Sequence, residues 1–383
     1  MPLSLNENTL ISLLYNHLGL NRARIKCLTL MILGIFESQS ICLGKITRFF
    51  TSSALSSSRY RRMQRFVKDI RFCPLKLAVL LLDIMGLKSL ESFIIILDRT
   101  NWKFGKKHCN ILYLSIAHNG IAIPLFFTVL TNKKKGNSDY KDRIKIVQLF
   151  IDAFGKTRMK YILGDREFIG KQWVEWLQNE GILFDLRAKE NGQYISSSLG
   201  GMVLAKNLFA DLKPGEYRSL GRRRICKTDT YRAYVSGFKN QKGEIIVLLH
   251  SAEIEAPWDV YRIRWEIEVL FRVLKSGGFD IESTHVTQYD RLETILGIAA
   301  IASCFAHRAG EIYLEIEPQK IKKHGYKPFS IVRYGLDVIV EMLRNSPLLK
   351  KSQTILCVIK SFVDKVFGNG RMTENKDFQK IVM

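Results

Sequence analysis

The chain has 383 residues, enough for two or three domains at the usual ~100–200 residues each. Hydrophobic residues make up 47% and charged residues 25%, which excludes wholesale disorder, a collagen-like chain and a repeat array. Lys and Arg number 59 against 36 Asp and Glu, a formal net charge of +23 that fits a nucleic-acid partner, because each neutralised phosphate releases condensed counterions.

The 7 cysteines are scattered, with no C-x-x-C pair, so neither a zinc ribbon nor a disulfide framework is expected and a reducing compartment is. Met1–Glu7 has no basic stretch followed by an apolar core, so no signal peptide is expected. The most apolar stretches, Leu75–Leu87 and Thr294–Ala306, fall short of the ~20 residues of a spanning helix, and a cytoplasmic location is expected.

Residues 1–88 read as short helices, with helical apolar spacing in Thr9–Leu20 and Ile25–Phe36. A serine-rich break at Thr51–Ser58 precedes the basic segment Arg59–Arg71. On a helix, Arg61, Arg65 and Lys68 share one face while Met63, Phe66 and Ile70 lie on another. Such a helix suits DNA contact, the alternative being a solvated charged face.

From residue 91 the pattern turns to strands. Glu91–Asp98 is an apolar, β-branched run ending in an acid. Cys109–Ala117 and Ile121–Leu130 flank His118-Asn119-Gly120, a strong signal for a tight hairpin because a type I′ turn needs positive φ at both central residues. A polar loop and an amphipathic helix over Asp139–Phe154 follow, then a fourth strand over Met159–Leu163 with Asp165 beyond its end, and a helix over Lys171–Asn179. Residues 182–252 read as a β-rich insertion, with strands at Leu183–Ala188, Met202–Ala205, Tyr217–Leu220, Tyr231–Gly237 and Glu244–Leu249. One long helix is expected over Trp258–Ser276, stopped by Gly277 and Gly278, and residues 290–383 read as mostly helical.

At about 100° per residue, Tyr261, Arg264, Glu268, Arg272 and Lys275 fall within an arc of about 80° on that helix, opposite an apolar face. An i,i+4 salt bridge between Arg264 and Glu268 is the plain reading. One acid among three bases and a phenol also suits a surface that holds a metal through the acid and grips phosphate through the bases. With Asp98 and Asp165 at strand ends, the chain offers three carboxylates on rigid elements, and hard oxygen ligands select Mg²⁺ or Mn²⁺. Two such ions suit in-line phosphoryl transfer.

The order strand–Asp98, two strands, helix, strand–Asp165, insertion, helix–Glu268 resembles the RNase H-like core of DDE transposases. The spacing Tyr261-x2-Arg264-x3-Glu268-x6-Lys275 resembles the signature of the IS4 family of bacterial insertion-sequence transposases. Asp98-Arg-Thr-Asn-Trp-Lys-Phe-Gly105, Lys135-Gly-Asn-Ser138 and Gly164-Asp-Arg-Glu-Phe168 support the likeness, which spans roughly residues 90–310.

The resemblance implies that Asp98, Asp165 and Glu268 are the catalytic residues and bind Mg²⁺, with Mn²⁺ able to substitute. It implies that Tyr261, Arg264 and Lys275, joined by Arg272, hold double-stranded DNA beside the site, and that two protomers act together on the element ends. The implied reactions are cleavage at transposon ends and attack of the freed 3′-hydroxyl on target DNA. The rival readings are a metal-dependent nuclease without strand transfer and a non-catalytic DNA-binding protein. Well-known relatives stack a flipped base on a Trp in the last insertion strand, whereas Glu244–Leu249 has none and Trp258 lies at the helix start. Trp102 and Trp265 are expected to be packing residues, and His108, His118, His250 and His285 are assigned no role. The expected organisation is a helical DNA-binding domain (1–88), a catalytic core in two parts (89–181 and 253–310) around the insertion (182–252), and a helical C-terminal region (311–383).

Overall fold

In a computed structural model, residues 9–50, 53–104, 107–130, 138–228, 230–322 and 328–345 are described. Five helices come first: α1 (Thr9–Leu18), α2 (Arg22–Ser38), α3 (Leu43–Ile46), α4 (Ser56–Asp69) and α5 (Pro74–Met85). The Asn21 side chain caps α2 by accepting from Arg24 N. On α4, Met63, Phe66 and Val67 are buried while Arg61, Arg65 and Lys68 are exposed, so the basic face is free of the core.

The strands are β1 (Phe93–Phe104), β2 (Lys107–His118), β3 (Ile121–Val129), β4 (Met159–Gly164), β5 (Phe184–Ala188), β6 (Tyr194–Ser196), β7 (Met202–Leu204), β8 (Tyr217–Ile225), β9 (Tyr231–Lys239) and β10 (Ile245–His250). Among the described residues they make one sheet in the order β3-β2-β1-β4-β5-β10-β9-β8-β6-β7. β1 runs antiparallel to β2 and parallel to β4, β4 runs parallel to β5, and β5 runs antiparallel to β10. The sheet therefore continues unbroken from β4 through β5 into the β-rich segment. The short strand β6 was not expected; its three residues are too few to show an alternating pattern.

The β2–β3 turn forms where Asn119 and Gly120 predict it, with φ of 50° and 84° and His118 paired to Ile121. Helix α6 (Tyr140–Phe154) starts at a capping box between Asp139 and Asp142 and packs Phe150 against Phe93. Helix α7 (Lys171–Asn179) packs beside α6.

The segment after β10 departs from expectation. In place of one helix there are α8 (Pro257–Arg262), a 3₁₀ turn over Ile263–Trp265, and α9 (Glu266–Lys275). A 3₁₀ turn advances about 120° per residue, so three such residues shift α9 by only about 60° relative to α8, and Tyr261 and Lys275 differ in depth rather than in angle, the first buried and the second partly exposed. Pro257, which suits a first helical turn, sets the start of α8.

Helix α10 (Tyr289–Ile316) is longer than the apolar run Thr294–Ala306 that announces it, and α11 (Ile331–Asn345) follows. Among the described residues α10 alone is long and apolar enough to cross a membrane, and 83% of its most apolar window is buried within the protein. It packs on α2, α4, α5, α9, α11 and β3. The crossing with α11 depends on two glycines: a Cβ on Gly335 would meet Ala306 O at 1.9 Å, and one on Gly310 would meet Ile331 O at 2.1 Å.

Candidate active site

The parallel ladder between β1 and β4 ends at Leu97 and Gly164, one residue before Asp98 and Asp165. The two aspartates therefore stand side by side where the strands part. β1 itself does not end at Asp98, as the sequence predicts, because its antiparallel ladder with β2 runs on to Phe104. Asp98 and its cross-strand partner Tyr113 face α9, where the Tyr113 ring meets Phe271 at 5.4 Å between centroids.

Asp165 is held by a local turn. Its Oδ1 accepts from Glu167 N (2.9 Å) and its carbonyl accepts from Phe168 N (3.0 Å). Gly164 makes the turn possible, since a Cβ there would lie 2.9 Å from Phe168 Cβ and 3.0 Å from Leu186 Cδ2. Glu167 anchors the loop from behind: it accepts from Arg99 Nε (2.9 Å), Ser138 N (2.8 Å) and Ser138 Oγ (2.8 Å), and its carbonyl accepts from Arg143 Nη2 (2.9 Å). Sequence reasoning missed this support; its signal was Glu167 inside the Gly164–Phe168 motif.

Arg264 joins the first aspartate to the third acid. Its Nη1 donates to Asp98 Oδ2 (3.1 Å) and its Nη2 to Glu268 Oε1 (2.5 Å), the second contact being the expected i,i+4 pair. The Arg264 and Asp98 side chains are 8% and 14% exposed, whereas Glu268 is 46% exposed at the rim. Burial and the neighbouring Asp165 push the Asp98 carboxyl up to about 7, against the pull of Arg264.

The remaining signature residues separate by depth. Tyr261 is buried, and its hydroxyl has no hydrogen-bond partner among the described residues. Burial raises its pKa to about 12, with Arg264 and Arg187 pulling it down. Lys275 is partly exposed, donates to Asn101 O (3.0 Å) and pairs with Glu282 (3.0 Å). Arg272 is exposed on α9. Arg61, Arg65 and Lys68 are distant in sequence, and line an open cleft with Ser58, Gln64 and Arg291. Arg291, on α10, is a basic member of that cleft that sequence reasoning missed.

Trp258 stacks on Phe238 of β9 at 4.2 Å, and Trp102 is buried as expected. Trp265 packs edge-on against Trp258 and Tyr261 at 6.0 and 6.3 Å between centroids but is 40% exposed, so it is a surface packing residue and not a core one. Two further basic runs, Lys133–Lys135 and Arg222–Arg224, read from the sequence as solvated loops or DNA contacts; the first lies outside the described residues, and Arg222 and Arg224 are exposed on β8.

Asp98 and Asp165 repel each other, and Arg264 stands between Asp98 and Glu268, so among the described residues the three acids do not bring one oxygen each within 4.8 Å of one another. In comparison with protein families, residues 91–305 match the model of the transposase DDE domain. The chain belongs to that family, whose members are enzymes acting on DNA. Comparison with curated proteins gives no significant match.

Proposed function

We propose that this protein is a cut-and-paste DNA transposase of the IS4 type that cleaves at insertion-sequence ends and joins the freed 3′-hydroxyl to target DNA. The observation that carries the reading is the pairing of Asp98 with Asp165 at the split between β1 and β4, with Arg264 bridging Asp98 to Glu268. The strand order β3-β2-β1-β4-β5 supports an RNase H-like core that takes in β5, read from sequence as the start of the insertion at 182–252, and β6–β10 support a β insertion built onto its edge. The spacing of Tyr261, Arg264, Glu268 and Lys275 supports the IS4 assignment.

In this reading Asp98, Asp165 and Glu268 would hold Mg²⁺ or Mn²⁺, which supplies Lewis-acid stabilisation of the attacking and leaving oxygens. Arg264 keeps two of the acids aimed at one opening and offsets part of their charge. Arg272 and Lys275 line the rim of α9, where a phosphate backbone would lie. Tyr261, beneath the surface, packs with Trp258 and Trp265 and supports the 3₁₀ turn that presents Arg264. Arg61, Arg65 and Lys68 of α4, joined by Arg291 of α10, form a second DNA contact. Two protomers act together, one per element end, in the bacterial cytoplasm at the nucleoid.

The test uses donor DNA carrying the segments that flank the reading frame, a target plasmid and Mg²⁺. The expected result is a joined product with the unaltered protein and none with Asp165→Asn, which still binds the ends. Donor cut but never joined, where a control transposase joins, would favour a nuclease. Full function in Asp98→Ala, Asp165→Ala and Glu268→Ala would favour a non-catalytic DNA-binding protein.

A further inference from the structure

The tip of the β2–β3 hairpin meets α10 at three side chains outside the carboxylate site. His118 ends β2, and His307 and Glu311 lie one turn apart on α10. His118 Nε2 is 2.7 Å and His307 Nε2 3.3 Å from Glu311 Oε1. One ligand atom from each of the three lies within 4.8 Å of the others. Two imidazoles and a carboxylate are the donor set of borderline ions such as Zn²⁺, whereas Mg²⁺ prefers oxygen alone.

A second observation points the same way. The His307 side chain is 1% exposed, and neither ring nitrogen has a hydrogen-bond partner among the described residues. The 3.3 Å approach of Nε2 to Glu311 lacks hydrogen-bond geometry. Buried polar groups normally find partners, so a buried imidazole whose Nδ1 has none and whose Nε2 only faces Glu311 at 3.3 Å needs an explanation, and a bound ion is one.

The surroundings are arranged for a ligand. Arg308 Nη1 donates to Glu311 Oε2 (3.1 Å), which holds the carboxylate with Oε1 toward the imidazoles. Asn119 Nδ2 lies 2.7 Å from Glu311 Oε1 and 3.2 Å from His118 Nε2. Asn119 is exposed on the turn, so it covers the solvent side and can swing away as an ion enters. Zinc bonds of about 2.0–2.1 Å separate tetrahedral ligand atoms by about 3.3–3.5 Å, so side-chain rotations of about an ångström close the site.

We propose that His118, His307 and Glu311 form a binding site for a zinc-class dication, distinct from the Asp98–Asp165–Glu268 cluster, that staples the β2–β3 hairpin to α10. The same turn is fixed on its other side by Glu266, which accepts from His118 N (2.7 Å) and Gly120 N (2.9 Å). Glu266 lies two residues before Glu268, so the ion would brace the first turn of the helix that carries the third acid.

The test titrates Zn²⁺ alone into metal-free full-length protein in which Asp98→Asn, Asp165→Asn and Glu268→Gln silence the other carboxylates. Calorimetry should find one Zn²⁺ per chain with a rise in Tm, and Co²⁺ in its place should give a visible absorption band. Adding His307→Gln or Glu311→Gln should weaken Zn²⁺ by more than the roughly 10–100-fold that loss of a supporting partner costs. His118→Gln is the companion variant, since His118 is only partly buried and its loss spares the interior of α10. Absence of stoichiometric binding would overturn the proposal, as would unchanged affinity in the folded His118→Gln variant.

Discussion

Removing the charge of Asp98 while keeping its shape tests the electrostatics of the acid cluster. The carboxyl is 14% exposed, and burial with the repulsion of Asp165 raises its pKa from 3.8 to about 7. Between those values the folded chain keeps a proton that the unfolded chain has released. Stability therefore falls as pH rises through that window, and the loss is complete above pH 7. At about 1.4 kcal/mol per tenfold change in proton affinity, the interval from pH 5 to pH 7 is worth about 2–3 kcal/mol. Asn carries no charge at any pH, so Asp98→Asn escapes this loss while forfeiting activity. Thermal unfolding of both proteins in chelator should show the Tm advantage of Asp98→Asn widening by roughly 3 °C between pH 5 and pH 8. Adding Mg²⁺ at pH 8 should raise the Tm of the unaltered protein and leave that of Asp98→Asn nearly unchanged. A Tm gap that does not change with pH would refute the argument.

Three further outcomes are expected. Gly335→Ala should cost about 1–3 kcal/mol or more by thermal unfolding, because its Cβ meets Ala306 O at 1.9 Å and α11 must lift from α10. Changing Arg61, Arg65 and Lys68 together to Ala should weaken DNA binding across all sequences and reduce the salt slope of log K by about 2.7, read from binding at several ionic strengths. Glu266→Ala should cost about 2–3 kcal/mol through its two lost backbone contacts, and hydrogen exchange should show the amides of His118 and Gly120 losing protection first.

Local rules made much of this protein legible in the sequence. Asn119-Gly120 placed the tight turn because few residues tolerate positive φ, and Asp139 with Asp142 marked the start of α6. The buried strands showed in their apolar runs. The basic face of α4 could also be read, since period alone separates Arg61, Arg65 and Lys68 from Met63 and Phe66.

Tertiary structure alone decided how deep each signature residue sits. A helical wheel puts Tyr261 beside Lys275, but in the fold Tyr261 and Arg264 are buried while Trp265 and Lys275 are at least partly exposed. Pairing between strands, which no local pattern encodes, ended the β1–β4 ladder beside Asp98 and Asp165 and carried the sheet on into β10. The meeting of His118 with His307 and Glu311 is of the same kind. Each residue is unremarkable in its own segment, and the packing of α10 beneath the hairpin brings them together.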